Sequence, residues 1–266
     1  MNILFPTDFS SNARKGLNYA IDLVNSIGGT LHLLTSFEDP RPTGSFVSIA
    51  DVLRKDAEND MKILVDDIQP KLSNDIISFV AQSEPEYSIT AYAVRNNIDL
   101  IVIPTKGMSN LENILLGSVT KKVIANADTP VLVVPANSEL NGVDPKILFA
   151  VDAKPILPTN NTNFINEFVQ KLGVKITFAH VNDNKEPVTP NLIQFIVFVF
   201  NTNFEDLIIL DGDVPSQIIT DYVFENEYDF VIMIKRKKSF LDKLLSTSQS
   251  SKGAGMTKVP MIVIKE

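Results

Sequence analysis

Residues 3–24 of the chain, ILFPTDFSSNARKGLNYAIDLV, contain a short apolar run, a polar turn and an amphipathic segment. Ser10 stands where a helix N-cap is expected, and Gly28-Gly29 mark the end of the amphipathic segment. A short buried strand followed directly by a capped helix is the βα unit from which parallel sheets are built. This stretch therefore predicts an α/β fold.

The same opening occurs twice in the chain. Ile3-Leu4-Phe5 followed by Asp8 returns as Ile147-Leu148-Phe149 followed by Asp152. Further along, residues 85–134 align without a gap with residues 215–264, and thirteen of those fifty positions are identical. Self-similarity at a nearly fixed offset indicates that one structural unit has been duplicated.

Duplication predicts two domains. The chain has 266 residues, which is the length of two ordinary domains. We predict a first copy at residues 1–138 and a second copy at residues 145–266, separated by a polar segment rich in Asn, Gly and Pro that suits a linker.

Each copy alternates short apolar runs with longer amphipathic segments, which predicts five mainly parallel strands flanked by helices. Residues 192–200 have a strand-like composition, but their place in the repeat predicts a short buried helix. The predicted strands are Asn2–Pro6, Thr30–Phe37, Ile76–Ala81, Leu100–Ile103 and Val131–Val134, then Lys146–Ala150, Lys175–Val181, Leu207–Leu210, Phe230–Ile234 and Met261–Ile264.

The last strand of each copy is short and apolar, which leaves an open sheet edge. Pairing of Val131–Val134 with Met261–Ile264 would protect both edges within one chain. The sequence therefore predicts a pseudo-dimer inside the chain, forming a compact monomer or a homodimer of such units.

Composition excludes several classes of function. The net charge is −8, so the average surface repels nucleic acid. The longest apolar run is too short to span a bilayer, and the N-terminus has no signal-peptide pattern. The chain has no cysteine, which suits a reducing compartment. We expect a cytoplasmic protein that binds neither nucleic acid nor membrane, with the basic run Lys235–Lys238 in a solvated loop.

Candidate binding residues follow the strands, because open parallel sheets bind ligands beyond the carboxyl ends of their strands. In the first copy these positions hold Thr7-Asp8, Thr35-Ser36 and a long loop from Pro104 to Leu116, which leads into Gly117-Ser118 at a helix start. The amides of such a helix start can seat a phosphate, and Asp8 could accept hydrogen bonds from ribose hydroxyls. The alternative interpretation is that Gly117-Ser118 merely begins a helix and Asp8 merely caps one.

These segments resemble a known family. IVIPTKGMSNLENILLGSVTKKVIANADTPVLVVP is similar to the C-terminal signature of universal stress proteins, and ILFPTDFSSNARKGLNYAIDLV to their N-terminal signature. The resemblance covers nearly all of the first copy and, more weakly, the second, as in tandem members. It implies a Rossmann-like fold of the adenine nucleotide alpha hydrolase type, a role in stress response or regulation, and ATP or AMP as the bound small molecule, with Mg²⁺ accompanying ATP.

The family's ATP-binding pattern is Gly, two residues, Gly, nine residues, Gly-Ser/Thr. Gly107 and Gly117-Ser118 fit it, whereas Pro104 replaces the first glycine and removes one amide donor. With Thr7 included from its place after the first strand, the residues expected to contact nucleotide are Thr7, Asp8, Ser36, Ile103, Gly107, Gly117, Ser118 and Val119.

The second copy departs from this pattern, because Ile234, Lys237 and Thr247 replace its three glycines. A second nucleotide site is therefore not expected. No catalytic or metal site is predicted: His32 and His180 are interpreted as hydrogen-bonded structural residues, and any ATP hydrolysis would be weak. The rival hypothesis is a ligand-free scaffold that binds an unidentified protein partner.

Overall fold

The computed structural model of the chain describes residues 1–39, 49–105, 116–135, 138–140, 145–152, 154–182, 190–200, 204–236 and 259–266. The first copy contains β1 (Asn2–Pro6), α1 (Ser11–Ile27), β2 (Thr30–Phe37), α2 (Ala50–Ile68), β3 (Ile76–Gln82), α3 (Pro85–Arg95), β4 (Leu100–Pro104), α4 (Ser118–Asn126) and β5 (Val131–Val134). The second copy contains β6 (Ile147–Val151), α5 (Asn160–Leu172), β7 (Ile176–Asn182), α6 (Pro190–Phe200), β8 (Phe204–Asp211), α7 (Pro215–Glu225), β9 (Phe230–Lys235) and β10 (Met261–Lys265).

Each predicted strand is present, and β1, β2 and β5 have the predicted bounds. Residues 192–200 lie within α6, so the helix that the repeat predicted is confirmed. Its apolar composition is explained by burial of Leu192, Ile196 and Phe200 in the core. No helix in the described ranges is both long enough and apolar enough to cross a bilayer.

All ten strands form one sheet in the order β3-β2-β1-β4-β5-β10-β9-β6-β7-β8. Strand pairs within each copy are parallel. Helices α1, α2, α5 and α6 supply the core on one face of the sheet, and α3, α4 and α7 supply it on the other. The predicted α/β class with helices flanking mainly parallel strands is therefore confirmed.

The two copies meet at the antiparallel pair of β5 and β10, where Leu132 lies opposite Ile262. Both side chains are fully buried, so the strand pairing predicted from the sequence is present. Tyr19 of α1 packs edge-on against Phe230 of β9, with ring centroids 6.3 Å apart. Residues 136–137 and 141–144, around the predicted domain boundary, lie outside the described ranges, so the division into domains stays a prediction.

The turn after α1 depends on glycine. Gly28 closes the helix with φ 73°, and its amide donates to the Val24 carbonyl. Gly29 has φ 130°, and a Cβ atom there would lie 1.9 Å from the carbonyl oxygen of Met1. A side chain at residue 29 would thus prevent β1 and β2 from lying side by side. At the other end of α1, the Ser10 hydroxyl accepts from the Ala13 amide at 3.1 Å, as the sequence predicted.

Two buried histidines lie in the sheet. His32 of β2 has its Nδ1 3.0 Å from the Tyr92 hydroxyl, which confirms a structural, hydrogen-bonded role. In His180 of β7, Nδ1 lies 3.1 Å from the Val151 carbonyl oxygen and must donate to it. His180 is therefore hydrogen-bonded, as predicted, while its buried Nε2 atom has no partner among the described residues.

Burial of His32 predicts a pH-dependent stability. Desolvation lowers the pKa of His32 below its ordinary value, because the protonated ring is disfavoured in the core. Below about pH 6.5 the unfolded chain binds this proton more strongly than the folded chain does. The free energy of unfolding should therefore fall between pH 7 and pH 5, by at most about 1.4 kcal/mol per pH unit from this group.

Urea denaturation at pH 7.5 and 5.5, followed by circular dichroism, measures this effect. His32→Gln removes the titrating ring and keeps a partner for the Tyr92 hydroxyl. The variant should lose less stability than the wild-type protein over the same pH interval. An equal loss in both proteins would show that other groups cause the pH dependence.

Candidate functional site

A cleft opens at the carboxyl ends of β1 and β4. Its cavity volume is about 210 Å³, which is smaller than the roughly 300–1,000 Å³ that is usual for small-molecule sites. The lining residues are Pro6, Thr7, Asp8, Ala13, Leu34, Ser36, Pro85, Ile89, Ile103, Pro104, Gly117, Ser118, Val119 and Thr120.

The topology of the sheet explains the position of the cleft. From β1 the chain moves outward through β2 and β3, then returns to place β4 on the other side of β1. The crossovers on the two sides of β1 therefore diverge, which leaves a gap between them at the carboxyl ends of the strands. The cleft lies at this reversal of strand order.

The first turn of α4 forms one wall of the cleft. Gly117 is the N-cap in an extended conformation, with φ −62° and ψ 157°, and no side chain caps the helix. The amides that open a helix have no partner within it and carry the positive end of the helix dipole. Ser118 and Val119, the first two residues of α4, line the cleft. This wall is suited to an anionic group such as phosphate.

Two hydrogen bonds hold this turn of α4 in place. The Gly117 amide donates to the Thr105 carbonyl at 2.7 Å, and the Thr120 hydroxyl donates to the Pro104 carbonyl at 2.9 Å. Pro104 itself packs closely against Gly16 of α1. A Cβ atom added at Gly16 would lie only 3.2 Å from the Pro104 Cβ. The proline that replaces a motif glycine is thus accommodated at the end of β4 and still supplies a carbonyl to α4.

The turn after β1 forms the opposite wall. The Asp8 carboxylate accepts from the Ser10 amide at 3.0 Å, and the Thr7 hydroxyl accepts from the Phe9 amide at 3.0 Å. Phe9 has φ 59°, a left-handed conformation that is rare for a bulky residue and often marks a functional turn. Asp8 therefore closes the turn before α1, whose cap is Ser10, and it also lines the cleft.

The floor of the cleft is apolar. Leu34, Ile89 and Ile103 are each at most 3% exposed, and Ser36 lies among them at the end of β2. An apolar floor between a polar turn and a helix N-terminus can hold a flat ring at one end and an anion at the other.

Seven of the eight residues predicted to contact nucleotide line this one cleft: Thr7, Asp8, Ser36, Ile103, Gly117, Ser118 and Val119. The eighth, Gly107, lies outside the described residues. Sequence reasoning missed Ala13, Leu34, Pro85 and Ile89, which reach the cleft from neighbouring elements and carry no motif. The spacing of apolar residues in the sequence predicts that these four side chains lie on buried faces. It does not predict that they line the cleft.

In the second copy, a basic side chain lies beside the equivalent aspartate. Arg236 follows β9 and is 6% exposed; its guanidinium pairs with Asp152, which corresponds to Asp8. It also donates to the Pro155 carbonyl at 2.8 Å and lies 3.0 Å from a Glu266 carboxylate oxygen. A cation from the chain itself therefore occupies the position next to the aspartate.

The assignment of Lys235–Lys238 to a solvated loop was therefore wrong for its first two residues. Lys235 is the last residue of β9, and Arg236 is buried because carboxylates from two other strand ends surround its guanidinium. Residues 237 and 238 lie outside the described ranges. In the described part of the chain, no cluster of three or more His, Asp or Glu side chains could hold a metal ion.

Fold and cleft together define an α/β protein with a candidate small-molecule site at the switch point of its first five strands. The model of the universal stress protein family matches residues 1–135. The chain belongs to the universal stress protein family.

Known proteins give the same assignment. A universal stress protein of Methanocaldococcus jannaschii is 30% identical over 137 residues, covering 50% of this chain and 80% of that protein. The stress response protein NhaX of Bacillus subtilis is 26% identical over 161 residues, covering 50% of this chain and 96% of NhaX. A crystal structure of a universal stress protein from Archaeoglobus fulgidus has the same fold across 100% of this chain and 96% of its own, with TM-score 0.73 and 20% identity.

Proposed function

We propose that this chain binds an adenine nucleotide, ATP or AMP, in the cleft of its first copy and acts in stress response or regulation. The observation that carries the proposal is that the start of α4, which no side chain caps, and the apolar residues Leu34, Ile89 and Ile103 line the same cleft. The amides and the helix dipole would bind the phosphates. Ile103, Leu34 and Ile89 would contact the base, and Asp8 would accept from the ribose hydroxyls.

The second copy would act as an internal pseudo-dimer partner. Its β10 covers the open edge of β5, and its own aspartate, Asp152, is paired with Arg236. The proposed role is binding and not catalysis. The lining residues would contact the ligand, and none of them would transfer a proton. A slow ATPase activity would require Asp8 to act as the base.

Isothermal titration of the whole chain with ATP, AMP and adenosine, each with and without magnesium, tests the proposal. Affinity should rise from adenosine to AMP to ATP, because each phosphate adds contacts with α4. A Kd for ATP of millimolar or weaker, or equal affinities for adenosine and ATP, would contradict a phosphate seat at Gly117.

The buried Arg236 beside Asp152 favours one alternative, in which the chain is a ligand-free scaffold for a protein partner. Mass spectrometry of small molecules extracted from freshly purified protein separates the two functions. Nucleotide recovered in proportion to protein would exclude the scaffold, whereas its absence together with no titration heat would favour it.

A further inference from the structure

The C-terminal end of α4 is held by the second copy. Lys235, the last residue of β9, lies half-buried with its Nζ 3.1 Å from the Ile124 carbonyl oxygen and 2.5 Å from that of Ala125. Both carbonyls belong to the last turn of α4. The antiparallel pairing of β5 with β10 creates this contact, because it brings the carboxyl ends of β9 and β10 beside the segment that joins α4 to β5.

A cation is suited to this position. The last carbonyls of a helix have no partner within it and carry the negative end of its dipole. The Lys235 ammonium satisfies two of them and fixes the final turn. The backbone of Lys235 is itself fixed, since the next residue, Arg236, is paired with Asp152 and Glu266.

The other end of the same helix is the proposed phosphate seat. Helix α4 has nine residues and is therefore only about 14 Å long. The Thr120 hydroxyl anchors its start to Pro104, and Lys122 anchors its middle through an ion pair of 3.1 Å with Glu86. A helix this short moves as one body, so a hold at its C-terminus also fixes the amides at its N-terminus.

We propose that Lys235 is a positioning residue for the nucleotide site of the first copy. The second copy has Arg236 paired with its own aspartate, Asp152, yet it supports phosphate binding across the seam by holding α4. This inference rests on the proposed function. Lys235 does not contact the ligand. It acts by holding the first turn of α4, with Gly117, Ser118 and Val119, in position.

Three variants of the whole chain test the proposal. Lys235→Met keeps the stem and removes the charge, and Lys235→Arg keeps a cation. Lys265→Met is the matched control, because Lys265 also ends a strand of the second copy but pairs with Asp128 beyond the end of α4, at 2.5 Å and in an exposed position. Each variant is titrated with ATP and with adenosine, and circular dichroism follows its thermal unfolding.

Lys235→Met should weaken ATP binding by roughly three- to tenfold and leave the adenosine affinity within twofold, because α4 contacts the phosphates and not the base. Lys235→Arg and Lys265→Met should bind ATP within twofold of the wild-type protein. A general loss of structure would weaken the binding of both ligands alike. The ratio of the ATP affinity to the adenosine affinity therefore distinguishes a positioning role from a general loss of structure.

Three results would each overturn the inference while leaving nucleotide binding intact. In Lys235→Met, the affinities for ATP and adenosine could fall equally, or the ATP affinity could stay unchanged. In Lys265→Met, the ATP affinity could fall as much as in Lys235→Met. Failure of the wild-type chain to bind ATP would overturn the proposed function and this inference with it. The two failures are thus told apart by the wild-type titration.

Discussion

Gly117→Asp is expected to weaken ATP binding strongly without unfolding the protein. Gly117 is the N-cap of α4 and has an extended backbone that any residue can adopt. Aspartate is a favoured N-cap whose carboxylate accepts from the first amides of the helix. These are the amides proposed to bind phosphate, so the new side chain would occupy them and repel the ligand.

The expected loss of ATP affinity is on the order of 100-fold, the equivalent of about two hydrogen bonds to a charged group. Stability should stay level or rise by a few tenths of a kcal/mol, because a cap is gained. Titration calorimetry measures the first effect and urea denaturation the second.

Gly117→Asn is the matched control for this variant. Asparagine has nearly the shape of aspartate and also caps helices, but it adds no charge. ATP should bind to Gly117→Asn more weakly than to the wild-type chain and more tightly than to Gly117→Asp. Wild-type affinity in Gly117→Asp would place the phosphates elsewhere, and equal losses in both variants would point to steric blockage without an electrostatic part.

Local signals were sufficient for most of the fold. The strands β1, β2 and β5 could be bounded from apolar runs and turn residues because each is buried and ends at Pro, Gly or a polar turn. Helix α6 required the repeat, since its Phe, Ile and Val residues suit a strand equally well. The position of a segment in a duplicated βα pattern decided what its composition left open.

The cleft was predictable because the sheet topology brings strand ends together and the glycine motif marks a helix start. Arg236 and Lys235 were not predictable, because their partners lie far away in the sequence. Arg236 is paired with Asp152, 84 residues earlier, and Lys235 reaches Ile124, 111 residues earlier. A run of basic residues predicts solvent exposure. Such residues are buried only where carboxylates or carbonyls from elsewhere in the chain lie beside them, and only the tertiary structure shows where that happens.

A single truncation at the seam between the copies should lower stability strongly. Ile262 is fully buried and lies opposite the buried Leu132 across the antiparallel pair. Ile262→Ala should lower the free energy of unfolding by about 2–5 kcal/mol, through lost burial and the cavity that remains. Because the sheet is continuous through this pair, the loss should appear in one cooperative transition of the whole chain.

Ile77→Ala is the control for this truncation, since it makes the same chemical change on the edge strand β3, where Ile77 is 46% exposed. We expect it to lower the free energy of unfolding by less than about 1 kcal/mol, because little surface is lost from the core. Urea denaturation followed by circular dichroism gives both values, and hydrogen exchange reports where each variant opens. Two unfolding transitions in Ile262→Ala, with hydrogen exchange raised in the second copy alone, would contradict this prediction. The seam would then join two independently stable units, and Lys235 would hold α4 only while the two units stay paired.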